Sequence, residues 1–136
     1  MKISLAEKDV YARWISSAED MLKMAENDRK EGFYVWSYYK SRRAAEYALK
    51  GLLRGMGILG FNEPYLLQLI TRVGQEGIEF SEEVKECAKN LDKNYIIPED
   101  GKHFESKDDQ FIDAETAEQA VSWAGEIVGF IKEACC

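Results

Sequence analysis

The chain has 136 residues, 46% hydrophobic and 32% charged, with a net charge of −7, the make-up of an ordinary globular protein. No apolar run approaches the ~20 residues that span a bilayer. The excess of acid excludes a general nucleic-acid binder, which needs a high density of cations.

The charge is unevenly divided. Residues 1–60 hold eleven Lys/Arg against eight Asp/Glu, and residues 61–136 hold seven against seventeen. All six arginines (13, 29, 42, 43, 54 and 72) lie at or before Arg72. Any contact with a nucleic acid is therefore expected to be local and confined to the first half. The length suits one domain, residues 1–136. Met1 to Leu5 is followed at once by Glu7, Lys8 and Asp9, so no signal-peptide core is expected and the cytoplasm is the default compartment.

Helix one is predicted from about Ala6 to Glu31. Tyr11, Trp14, Ala18, Met21 and Ala25 repeat at intervals of three and four, and Gly32 is a natural left-handed stop. Helix two follows from about Phe33 to Met56, and so short a connection implies an antiparallel hairpin. This helix carries two stripes. Tyr38, Arg42, Ala45, Leu49, Leu52 and Met56 form a core seam with an arginine set into it. Trp36, Lys40, Arg43, Tyr47, Lys50 and Arg54 form an aromatic and basic ladder on roughly the opposite face.

Gly55, Gly57 and Gly60 break that pattern. Asn62, Glu63 and Pro64 open a short third element with Leu66, Leu67, Leu69, Ile70 and Val73, ended by Gly74 and Gly77. Ser81 followed by Glu82 and Glu83 is a helix-start signal, because hydroxyl and carboxylates suit the free amides of a first turn. That helix keeps Val84, Cys87, Ala88 and Leu91 on one side and is expected to end near Lys93. A polar loop, Asn94 to Ile112, holds Pro98, Gly101 and the single histidine, His103. Asp113 caps a last helix whose inner stripe is Ala117, Ala120, Val121, Ala124, Ile127 or Val128, and Ile131. The fold class that follows is all-α, an up-and-down antiparallel bundle of four main helices plus a short one.

Trp14, Ala18, Glu19, Asp20 and Leu22 on helix one, with the run Arg43-Ala44-Ala45-Glu46-Tyr47-Ala48-Leu49-Lys50-Gly51-Leu52-Leu53 on helix two, resemble HEPN domains (higher eukaryotes and prokaryotes nucleotide-binding). Family members typically show glutamine-alanine-alanine-glutamate-lysine-alanine-leucine-lysine in the second stretch. The short third helix, and Leu91 and Tyr95 before an irregular loop, fit in order and spacing. The resemblance implies a homodimer, frequent pairing with a small nucleotidyltransferase as a two-component (toxin-antitoxin) system, and binding of nucleotide or RNA. Many members are metal-independent ribonucleases in which an arginine precedes a histidine by four to six intervening residues. Here the positions that would supply the arginine for His103 are Ile96, Ile97 and Pro98. A tyrosine sometimes found two residues after the histidine is Glu105, and a histidine often seen before the third helix is Tyr65. A related subgroup carries arginine-tyrosine-proline-aspartate; here Ile96-Ile97-Pro98-Glu99-Asp100 keeps the proline and acids and loses the arginine.

Metal-independent RNA cleavage needs a group that titrates near neutrality and a cation for the charged phosphorane. His103 is the candidate for the first. The second would fall to Lys102, Lys107, or an arginine of helix two or of a partner subunit, and Glu99, Asp100 and Glu105 oppose it. An exposed loop histidine is the simpler reading, so no catalytic residue is assigned. Arg42 has two readings: it pairs with Glu46 or with an acid of another helix or subunit, or it lines a cleft for an anion. The Trp36 ladder has three: a solvated face, a protein interface, or a surface for nucleotide or RNA in which bases stack on the rings. Tyr95 reads as a core or loop-anchoring aromatic. Cys87 sits on an apolar helical position as a small buried thiol, while Cys135 and Cys136 are expected to be exposed. No metal site and no cofactor are expected, because one histidine and no Cys-x-x-Cys pair are present.

Overall fold

A computed structural model describes residues 3–94 and 112–135. Expectations placed on Tyr95, His103, the lysines and acids beside it, and Cys136 lie outside the described residues. The helices are α1 (Lys8–Lys30), α2 (Tyr34–Gly55), α3 (Leu66–Gly74), α4 (Glu82–Asp92) and α5 (Ala114–Ala134). Among the described residues no strand forms; Ile3 and Cys135 make one isolated parallel bridge, with the Ile3 N–H donating to Ala134 O at 2.6 Å. The predicted helix limits hold to within two residues for α1, α2 and α4, and α5 starts directly after its predicted cap, Asp113. The third element begins later than expected, at Leu66, because residues 61–63 are irregular, Pro64 lies in a bend and Tyr65, the N-cap, is extended.

Local chemistry sets these ends. Gly32 and Gly57 both adopt positive φ, 85° and 84°. At each, two bonds reach back into the preceding helix: Gly32 N to Arg29 O with Phe33 N to Asp28 O, and Gly57 N to Arg54 O with Ile58 N to Leu53 O. That pairing consumes carbonyls a helix end would otherwise leave unsatisfied, and it needs a residue that tolerates the left-handed region. Ser81 Oγ accepts from Val84 N at 3.2 Å, and Asp113 Oδ1 accepts from Thr116 N at 2.8 Å. Hydrogen bonding from the Thr116 side chain, and then from its backbone N–H, holds the Asp113 carboxyl below its ordinary value.

α2 packs against each of the other four helices. One face buries Tyr38, Ala45, Leu49 and Leu52 completely; Met56 is only half-buried, because the helix has ended at Gly55. α5 contributes Ala117, Ala120, Ala124, Ile131 and both Ile127 and Val128, whereas Val121 is half-buried in the groove between α1 and α5. In α1, Ile15, Ala18 and Ala25 are the buried residues; Ile15 is not on the predicted stripe, and Tyr11, Trp14 and Met21 are half-buried. Cys135 corrects an expectation too. It is 6% exposed, because the backbone at Ile3 pairs with the end of α5 and closes over it.

A third stripe of α2, Ser37, Ser41, Ala44, Ala48, Gly51 and Gly55, lies between the two read from sequence, and every member is buried. It faces α1. Ser37 Oγ donates to Ala25 O at 2.8 Å, a Cβ at Gly51 would stand 2.4 Å from Trp14 Cβ, and a Cβ at Gly55 would stand 2.8 Å from Tyr11 Cβ. By contrast, a Cβ at Gly129 of α5 meets nothing within 4 Å. Gly51→Ala is therefore expected to lose about 1–3 kcal/mol through overpacking. Gly129→Ala should gain about 0.5–1 kcal/mol by restricting the unfolded chain. Urea unfolding midpoints of the two variants, moving in opposite directions, check both.

Candidate interaction face

Arg42 is 4% exposed, a position that a guanidinium holds only with compensation. Its Nη2 lies 3.1 Å from Asp92 Oδ1 and donates to Pro64 O at 2.6 Å, and its Nη1 lies 3.5 Å from Glu46 Oε1. Asp92 is the last residue of α4 and does a second job. Its carboxylate accepts from Leu66 N and Leu67 N, both at 3.0 Å, so it caps α3 from another helix. Tyr38 donates its hydroxyl to Asn90 O and Leu91 O, tying the end of α4 to α2. Burial pushes the Tyr38 phenol up, and it remains a donor.

Glu46, 9% exposed, is the anion on which three cations converge. Lys50 Nζ is 2.6 Å away and Arg43 Nη1 3.3 Å, in addition to Arg42. Arg43 also donates to Tyr47 OH at 3.1 Å and lies 4.8 Å from the centroid of that ring. Burial pulls the Arg43 guanidinium down, but Glu46 and Tyr47 outweigh it and leave the group raised. Tyr47 meets Trp14 edge to face, with centroids 5.7 Å apart. Arg13, Trp14, Ser17 and Tyr47 line a hollow of about 280 Å³ there.

At the start of α2, Lys40 Nζ stands 2.7 Å from Asp28 Oδ2 and 5.9 Å from the Trp36 centroid. Trp36 is 45% exposed and its neighbour Phe33 57%; together with Asp28 and Lys40 they line a hollow of about 370 Å³. The stripe read from sequence is thus half-buried along α1 rather than a freely solvated face: Lys40, Arg43, Tyr47, Lys50 and Arg54 are each partly covered. Reading along the sequence misses Asp28 and Asp92 as counter-ions, since neither lies on α2, and misses Phe33 as an exposed ring. Among the described residues no group of His, Cys, Asp and Glu is arranged to hold a metal. Burial pushes the Cys87 thiol up, away from nucleophilic behaviour.

The bundle and its central helix, with a charged cluster at one end and exposed rings flanking it, define a class of small helical domains. A HEPN domain profile matches residues 11–134, and the chain belongs to the HEPN family. Its structure is similar to TT1696 from Thermus thermophilus, with TM-score 0.75 and 28% identity over 91% of this chain and 97% of that one. It is similar to tm0613, a HEPN domain protein from Thermotoga maritima, with TM-score 0.70 and 25% identity over 89% and 95%. It shares its fold with ST0689, an archaeal HEPN homologue, with TM-score 0.72 and 23% identity over 90% and 95%. Comparison with curated proteins returned no match.

Asp92→Ala would leave a buried guanidinium short of one counter-charge and two α3 amides without an acceptor. A loss of about 3–5 kcal/mol is expected. Lys50→Met, at a site where Glu46 keeps two arginines and the side chain is one-quarter exposed, should cost under about 1 kcal/mol. Thermal or urea unfolding of the pair decides whether the network is organised around Asp92.

Proposed function

We propose that this HEPN protein acts by binding and carries no ribonuclease activity. It forms a homodimer and docks a protein partner, with a small nucleotidyltransferase as the partner class that the family resemblance implies. The observation that carries the reading is charge compensation along α2. Lys40 is matched by Asp28, and Arg43 and Lys50 converge on Glu46. Cations paired within the chain are partly offset, with Glu46 shared among three of them, and the pairing weakens their attraction for a phosphate backbone. The rings beside them, Phe33 and Trp36, are exposed, and aromatic side chains dominate protein interfaces. The lack of catalysis rests on sequence: no arginine follows Arg72, so none precedes His103 at the spacing that ribonuclease members use.

A nucleotide or RNA is the second reading. The hollow between Arg13, Trp14 and Tyr47, with Arg43 on the tyrosine, offers both a ring and a positive charge.

Incubation of the pure protein with structured and unstructured RNA, beside a His103→Ala variant, is expected to show no cleavage by either. Cleavage lost in the variant would overturn the non-catalytic reading. Titration with ATP and with single-stranded RNA at falling salt is expected to give no saturable binding. Saturation that weakens as salt rises would replace the protein partner with a phosphate ligand. A nucleotidyltransferase encoded beside the chain should be retained on the immobilised protein, and Trp36→Ala should weaken that retention at least tenfold.

A further inference from the structure

A cavity lies at the other end of α2, about 30 Å along the helix from Trp36 at 1.5 Å per residue. Its volume is about 830 Å³. Its apolar wall is made by Ile3, Met56, Ile78 and Phe130, all partly buried and all packed on the core. Three carboxylates, Glu76, Glu79 and Glu133, stand at its edge, and no lysine or arginine is among its lining residues. None of the three has an ion-pair partner among the described residues, unlike Glu19, Glu26 and Glu46, which are each matched.

The walls are built rather than accidental. The extended start of the chain is tied to the end of α5 by the Ile3 N to Ala134 O bond. It is tied to the end of α2 by Glu7 N donating to Gly55 O at 2.8 Å. The turn that carries Glu76 and Glu79 closes through Glu76 N to Val73 O and Gly77 N to Gly74 O, both 3.0 Å, with Gly77 at φ 92°. Phe130 is held by stacking on Phe80 at a centroid distance of 4.9 Å. The cavity thus needs no rearrangement to receive a ligand, and its size falls within the range of small-molecule sites.

We propose that this cavity binds a small organic cation with an apolar body, an alkyl or aryl amine. The hydrocarbon portion would lie on Ile3, Met56, Ile78 and Phe130, and the ammonium would sit among the three carboxylates. Two physical terms select this chemistry. Apolar wall removed from water favours a hydrocarbon over a purely ionic ligand. Three like charges around one opening repel each other, and their field attracts a cation and rejects an anion. A bare polyamine would satisfy only the charge, and a fatty acid only the wall. The proposal is independent of the reading of the α2 aromatics and survives or fails apart from it.

Octylammonium, octanoate and tetramethylammonium serve as probes in isothermal titration of the full chain. Octylammonium is expected to saturate at one site and to weaken as sodium chloride is raised. Octanoate, with the same body and opposite charge, and tetramethylammonium, with charge and no body, are each expected to bind at least tenfold more weakly. The triple variant Glu76→Gln, Glu79→Gln, Glu133→Gln changes only exposed side chains, so its fold is retained and checked by circular dichroism. It should lose at least tenfold in octylammonium affinity. Met56→Trp, which obstructs the apolar wall with a bulkier side chain and keeps the carboxylates, should lose a similar amount. Octanoate binding as well as octylammonium, no saturation by octylammonium, or full affinity in the triple variant would each overturn the proposal.

Discussion

The arrangement of this bundle depends on how closely α1 approaches α2. Two glycines stand beneath Trp14 and Tyr11, and two serines and two alanines continue the same face. Side chains of any size there would push the helices apart. With that spacing fixed, α2 is surrounded by every other helix and becomes the axis of the molecule. The ring of Trp14 then reaches Tyr47, and Arg43 closes over Tyr47 from the other side. Residues that would otherwise form an open basic face are drawn into the crease between two helices. Close packing is thus what sets the chemistry of that surface, because the crease leaves Lys40 within reach of Asp28 on α1.

A second constraint follows from burying Arg42. A guanidinium withdrawn from water needs opposite charge nearby, and its own helix supplies only Glu46 at 3.5 Å. The closer ion-pair partner is Asp92, fifty residues away in sequence, and the same carboxylate caps α3. One ionic cluster therefore fixes the relative placement of α2, α3 and α4. Such clusters contribute little net stability compared with a well-packed apolar replacement. Their effect here is registration: α3, nine residues long, could pack its leucines in more than one orientation without a directional contact at its first turn.

Much of the fold is legible in the sequence because its signals are local. Capping by Ser81 and Asp113, the stops at Gly32 and Gly57, and the three-four repeats of α2 and α5 all act within a few residues. What is not legible is what depends on partners elsewhere in the chain. The buried stripe from Ser37 to Gly55 lies between the two stripes that hydropathy and charge reveal, and small residues carry no hydrophobic signal of their own. Glu46 lies within reach of Arg42 by spacing, whereas Asp92 does not. The ladder of Trp36, Lys40, Arg43, Tyr47, Lys50 and Arg54 falls on one helix face as its spacing predicts, yet its state of charge is set by Asp28 on another helix and by Glu46 on the edge of its own. Cys135 reads as exposed because it is a chain-end residue, and only the pairing of Ile3 with the end of α5 buries it.

The distribution of compensated and uncompensated charge separates the two ends of α2. Near Trp36 and Tyr47, Lys40 is paired with Asp28 and Arg43 shares Glu46 with Arg42 and Lys50, so charge is partly offset there and rings and shape add short-ranged attraction suited to a preformed protein surface. Near Met56 three acids share an opening with no base among its described lining residues, so the field there reaches further and discriminates by sign. Structures that share this bundle at 23–28% identity fix the fold, and the fold alone assigns no chemistry to either surface. The arginines of this chain are gathered in the first seventy-two residues, where Arg42 serves the packing of helices against one another.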